Sequence, residues 1–219
     1  MNGRIIPIIL YSRFSWSLNS AQKETLNVLK ELEDRFGVWP HPSLTIYLAG
    51  QGGMEYSGAT MTSKSALGHE LTHSYFARGV MPINGNAGWI DEAIASWRDS
   101  NYASKENLPY GSSNMSSHSN YRRYTDRDAY SHGRDFLKHI NFRLESLGGL
   151  TSFLKGFHDK HTHTNISTEL FKSSLEDFAG EDFSKEFNTH IYGKSSEKKT
   201  VGENPNHPRL STAELKSLL

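Results

Sequence analysis

The sequence predicts an α+β fold, a small mixed sheet followed by a mostly helical lobe, and three observations lead there. Short, branched apolar runs come early, in "RIIPIILYS" and "SLTIYLAG". Apolar residues at helical spacing occupy most of the chain beyond them. No internal repeat or strand-helix alternation suggests a doubly wound sheet. At 219 residues the chain is long enough for one sizeable domain with a hydrophobic core.

In "RIIPIILYS", Pro7 argues for an edge strand or a strand's beginning. A helix should follow, with Asn19 as N-cap, Gln22 three residues on, an apolar stripe of Leu26, Leu29, Leu32 and Phe36, and Gly37 as its stop. "SLTIYLAG" is then a second strand, bounded by "WPHP" and by the glycines of "GQGG". A helix is expected from Ser65 to Arg78, ended by Gly79, and another across "WIDEAIASWRDSNY" after the loop "VMPINGNAG". Thr125 and Asp128 can cap a long helix through "DAYSHGRDFLKHINFRLES" to "LGG". Shorter helices follow at "LTSFLKGFHDKH", "STELFKSSLEDFAG" and "EDFSKEFNTHIYG". The domain is therefore drawn over residues 1–193, and the polar stretch 194–219, with its two prolines, reads as a tail or linker.

Composition narrows the function. Lys plus Arg number 24, as do Asp plus Glu, so no global charge attracts nucleic acid or an anionic membrane. The chain has no cysteine, which leaves a zinc site to His, Asp and Glu. "MNGRIIPIILYS" is too short for a membrane span and lacks the pattern of a signal peptide, so the default location is cytoplasmic.

"HELTH" at residues 69–73 carries the chemistry. On a helix His69 and His73 project from one face, with Cβ atoms roughly 6 Å apart, a separation suited to two ligands of one zinc. A catalytic zinc with two histidines needs a third ligand from another element, and Glu92, on the next helix, can supply it. Glu70 lies on a neighbouring strip of the helix, where it can take a proton from the attacking water. The simpler alternative makes all of these ordinary helix residues. Trp89 and Trp97 read as core, and "HDKHTH", with His158, His161 and His163, as a weaker second metal candidate without an assigned carboxylate.

With eighteen residues between "HELTH" and Glu92, the sequence resembles the aminopeptidase N family of zinc metallopeptidases, the gluzincins. "GGMEYSG" at 52–58 is similar to the family's Gly-x-Met-Glu-Asn motif, and "YSHG" at 130–133 to its Tyr-x-Lys-Gly motif. The last predicted helices and "RFGVWPHPSLTIYL" resemble catalytic-domain segments, so the resemblance covers most of residues 5–193. It implies a thermolysin-like zinc metallopeptidase catalytic domain that binds one zinc and hydrolyses peptide or protein substrates. It further implies that Glu55 binds the substrate's free α-amine, that Gly52 and Gly53 let the substrate chain lie close, and that Tyr130 donates to the oxyanion. Asp99, seven residues after Glu92, falls where the family often carries a carboxylate that can orient a histidine ligand.

Departures are visible too. Tyr56 replaces the motif's Asn, His132 replaces its Lys, and the spacer between "GGMEY" and "HELTH" is short. The β-domain and helical domain that usually flank the catalytic domain are not in this chain, so further domains of a longer protein, or a minimal open-cleft enzyme, are expected. An aminopeptidase is the leading expectation. The rivals are an open-cleft zinc endopeptidase and, in another class, an inactive metalloprotease-like binding or scaffold module.

Overall fold

The early apolar runs form the sheet, but it has more strands than the two runs announce. The computed structural model describes residues 4–13, 18–83, 85–117 and 125–194. Strands β1 (Ile8–Ser12) and β2 (Leu44–Leu48) pair in parallel, Ile8 opposite Leu44. β1 starts directly after Pro7 and lies at the sheet's edge, where a residue without an N–H does least harm. Two further strands, β3 (Gly53–Tyr56) and β4 (Ala59–Thr62), form a hairpin that the sequence reading passed over. The order is β1-β2-β4-β3; β4 runs parallel to β2 and β3 antiparallel to β4, so the sheet is mixed, as expected. This order leaves β3 on the opposite edge.

Helix α1 (Leu18–Phe36) buries Ala21, Thr25, Val28, Leu29, Leu32 and Phe36, a stripe at helical spacing. It is already helical at Leu18, so Asn19 lies inside the helix and does not cap it. Gly37 ends it at φ +96°, a left-handed conformation that costs glycine little. Helix α2 (Leu67–Phe76) is buried nearly all round, with His69 its main opening to the surface. Helix α3 (Trp89–Asp99) packs against it, and Trp89 and Trp97 are fully buried. Their indole N–H groups donate to Thr168 Oγ1 at 3.0 Å and to the Ala103 carbonyl at 2.9 Å, so neither donor is stranded in the core.

The long helix expected after Thr125 is broken into pieces. A π-helical turn, Ala129–Gly133, leads into α4 (Arg134–Arg143), and a 3₁₀ turn, Glu145–Leu147, follows. Thr125 does not cap it; its hydroxyl donates to the Gly88 carbonyl at 3.3 Å. Gly133 lets this turn press on α3, since a Cβ there would lie 3.0 Å from that of Ala93. Helices α5 (Gly149–His161), α6 (Thr168–Ala179) and α7 (Ser184–His190) complete the lobe, and Ser167 caps α6 by accepting from the Leu170 amide at 3.2 Å. A two-residue parallel pair, β5 (Met81–Pro82) and β6 (Asn165–Ile166), ties the segment after α2 to the start of α6. Phe136, Phe171 and Phe187 meet the Trp89 ring edge-on at centroid distances of 6.1, 5.9 and 6.3 Å, joining α3, α4, α6 and α7 in one core. No described helix is long and apolar enough to cross a membrane. Of the expected tail, residues 195–219 lie outside the described part, as do Tyr121 and Tyr124, the two nearby tyrosines that compete with Tyr130 for the oxyanion role.

His158, 2 % exposed, packs on the rings of Tyr75 and Phe76, and burial pushes its pKa down to about 4. Its folded pKa lies below its unfolded one, so its stabilising effect is complete above about pH 6.5 and is lost as pH falls towards 4. Between pH 6.5 and 4.5 the wild type should lose about 2 kcal/mol more unfolding free energy than His158→Gln, as read by urea titrations at each pH.

Candidate metal centre

Where α2 crosses α3, the two histidine rings converge on one carboxylate oxygen. His69 Nε2 lies 3.4 Å and His73 Nε2 3.6 Å from Glu92 Oε2. Donors bonded at about 2.1 Å to one tetrahedral zinc stand about 3.4 Å apart, so both separations fit a shared ion. Glu92 Oε2 is buried and accepts no hydrogen bond, an orphaned acceptor of the kind that a cation satisfies. Glu92 Oε1 is occupied, because the Tyr130 hydroxyl donates to it at 2.7 Å.

The outer nitrogens of both rings face acids. His69 Nδ1 donates to Asp99 Oδ2 at 2.7 Å, and His73 Nδ1 lies 3.3 Å from Asp91 Oδ2. The His69 imidazole is thus held from behind with Nε2 free to ligate, the arrangement in which a carboxylate fixes the tautomer of a metal-binding histidine, whereas His73 has Asp91 behind it at ion-pair distance without a hydrogen bond. Arg98 braces this region. Its guanidinium donates to both Glu31 oxygens on α1, at 3.1 and 2.7 Å, and to Asp99 Oδ1 at 3.3 Å. It passes over α2 through space that only Gly68 leaves free, since a Cβ there would lie 2.0 Å from Nη1.

The electrostatics favour a cation at this place. Burial opposes charge on His69, but its hydrogen bond to Asp99 and the nearby Glu92 carboxylate prevail and raise its pKa to about 10. Burial opposes charge on His73 too, and Asp91 overrides it in the same direction. For Glu92, burial acts upward, yet both histidines and Tyr130 hold the carboxyl below its ordinary value. Glu92 and Asp99 are therefore held in their ionised forms beside histidines that favour a proton, which a divalent ion would displace, while burial pushes Asp91 up.

Glu70 stands beside this group on α2, and burial raises its carboxyl's pKa against the pull of His73 and His69. β3 makes room for it: a Cβ on Gly53 would lie 1.9 Å from Glu70 Oε1, so the glutamate's placement needs a glycine there. Around Gly52, at φ +66°, the Cβ position is open. Glu55, on the same strand, brings an oxygen within 4.8 Å of ligand atoms of Glu70 and His73. Its carboxylate is already paired, accepting from Arg78 Nη2 at 2.9 Å. Tyr130 reaches the cleft from the π-helical turn, its ring parallel to that of His69 at 6.5 Å.

Among the described residues, two groups are placed to hold a metal: His69, His73 and Glu92, and the overlapping set Glu55, Glu70 and His73. His158, His161 and His163 form none; His158 is buried on aromatic rings, His161 lies tilted against the Phe157 ring, and His163 faces His41. Two residues escaped the sequence reading. Asp91 adjoins Glu92 but shows no spacing signal of its own, and Arg78 meets Glu55 only through the β3 hairpin.

No protein-family model and no curated protein sequence matches the chain. Solved structures do. The chain is 19% identical to an M1 zinc metallopeptidase from Deinococcus radiodurans, with a TM-score of 0.57 over 71% of this chain and 40% of that one. A mutant of that enzyme bound to a Tyr-Ser-Ala substrate gives 19% identity and a TM-score of 0.60, over 72% and 41%. Yeast LTA4 hydrolase in complex with bestatin gives 18% identity and 0.61, over 93% and 39%. The likeness is one of fold, a small sheet with a helical lobe, and the chain spans about four tenths of the length of these proteins, from 39% to 41%.

Asp91→Asn keeps the size of the side chain but weakens its hold on His73. Zinc affinity, measured by competition with a chromophoric chelator, should fall about 10- to 100-fold while the fold persists.

Proposed function

We propose that this chain is the catalytic unit of a zinc-dependent metallopeptidase, with a thermolysin-like fold over residues 1–193 that hydrolyses peptide bonds. The observation that carries this is the convergence of His69 Nε2, His73 Nε2 and the orphaned Glu92 Oε2 at spacings suited to one zinc. A zinc ion held there would act as a Lewis acid on the substrate carbonyl and lower the pKa of a bound water.

The chain's own residues supply the rest. Glu70 takes the proton of the attacking water on its carboxylate and returns it to the leaving amine, and the upward push of burial brings its basicity nearer to that task. Tyr130 Oη exchanges its bond to Glu92 for one to the carbonyl oxygen as that oxygen gains negative charge. Asp99 and Asp91 keep the two imidazoles turned towards Glu92.

In the aminopeptidase reading, Glu55 receives the substrate's free α-amine, and its closeness to Glu70 and His73 supports that. An open-cleft endopeptidase is a second reading, favoured by the Arg78 guanidinium already on Glu55. The substrate in either case is a peptide or protein.

Glu70→Gln should retain zinc and lose about a hundred- to ten-thousand-fold in kcat on a fluorogenic peptide. Appreciable turnover by the zinc-loaded variant would remove Glu70 from the role of base.

A further inference from the structure

Arg78 lies two residues past the last helical position of α2, and its backbone is tied to the zinc helix. The Ala77 and Arg78 amides both donate to the His73 carbonyl, at 2.7 and 3.0 Å. Gly79 follows with no room for a side chain, a Cβ there falling 2.7 Å from the Tyr75 carbonyl oxygen. The Arg78 side chain crosses from this anchored position to β3, where Nη2 donates to Glu55 Oε1 at 2.9 Å. The pair is part-buried, with side chains 31% and 20% exposed, so water screens it less than a surface pair. Arg78 Nε is buried and has no acceptor.

These contacts decide what chemistry the end of the cleft accepts. A substrate ammonium arriving at Glu55 must either strip Arg78 from the carboxylate or stand beside a guanidinium of the same charge. A peptide chain that continues through the same place brings a neutral carbonyl oxygen instead. Such an oxygen needs no countercharge, and a guanidinium, which carries more N–H groups than its bond to Glu55 uses, is a suitable donor for it.

We infer that Arg78 is the specificity-determining residue of this cleft: it takes the place of a substrate amine on Glu55 and turns the site towards internal segments of a peptide chain. The inference rests on the peptidase reading above and selects its endopeptidase branch. Arg78 is a cation supplied by the enzyme itself, so recognition at this end comes from hydrogen bonding to the backbone of the substrate and not from its terminal charge.

The test uses tetra-alanine amide and its N-acetylated twin, the acetyl group standing for a continuing chain. Both are titrated calorimetrically at pH 7 into zinc-loaded Glu70→Gln, which holds peptide without turning it over; at that pH the free α-amine is largely protonated. With Arg78 present the acetylated peptide should bind at least about tenfold more tightly. In Glu70→Gln/Arg78→Met the preference should reverse, and adding Glu55→Gln should abolish the reversal. Circular dichroism on each variant establishes that it is folded, and Arg78→Lys, which keeps a cation on Glu55, should not reverse the preference. Tighter binding of the free peptide by the Arg78 protein, a ratio unmoved by Arg78→Met, or no binding of either peptide overturns the inference. Turnover of the acetylated peptide by the wild type is read separately. A shifting binding ratio without turnover contradicts the peptidase reading alone, and turnover with an unmoved ratio contradicts the role of Arg78 alone.

Discussion

Five carboxylates, those of Glu55, Glu70, Asp91, Glu92 and Asp99, gather around two imidazoles at the crossing of α2 and α3, and the rest of the cleft is arranged to make this tolerable. Like charges at such density in a part-buried place are costly unless cations are supplied. Two arginines answer part of the demand, Arg98 at Asp99 and Arg78 at Glu55. The centre of the cluster has no arginine; there the buried Glu92 Oε2 faces only the two Nε2 atoms. A divalent cation between them would balance that centre, and the residues around it are those that the proposed hydrolysis would use. Packing serves the same end. The glycines at 53 and 68 are the places where Glu70 and Arg98 slide against the backbone, so the small residues flanking "HELTH" are part of the electrostatic design.

Much of this was legible in the sequence where the signal was periodic and local. The spacing of His69, His73 and Glu92 depends on two amphipathic helices, and helical periodicity is a strong signal, so α2 and α3 appear close to their expected spans. What escaped was short or non-local. The β3–β4 hairpin consists of "GMEY" and "ATMT", too brief and too poor in branched residues to read as strands, and its register comes from pairing with β2. The π-helical turn carrying Tyr130 cannot be told from an α-helical start by periodicity, and the close approach of Gly133 to Ala93 that accompanies it is non-local. Arg78 and Glu55 are 23 residues apart and meet only once the hairpin has formed.

The departures from the aminopeptidase motifs acquire physical meaning here. His132, standing where the resembled family carries lysine, hydrogen-bonds through Nε2 to Nδ1 of His190 at 3.0 Å, and burial lowers its pKa, so the turn bearing Tyr130 has a neutral neighbour and not a cation. Tyr56, in place of the motif's asparagine, lies exposed at the end of β3 next to the strand position of Glu55. Both changes alter the surroundings of Tyr130 and Glu55 and leave His69, His73, Glu92 and Glu70 untouched. With the Arg78 ion pair, they place the departures from the motifs around the candidate metal centre and not within it.

The central claim is that α2 and α3 build one metal site, and its most direct test is metal content. Plasma emission spectrometry on purified wild type and Glu92→Ala, each reconstituted with zinc and desalted, measures it without reference to any substrate. About one zinc per wild-type chain is expected, lost in Glu92→Ala, because removing one of three protein ligands opens a site built for a catalytic ion. A wild type that retains no zinc after reconstitution, or a Glu92→Ala variant that retains as much, would contradict it.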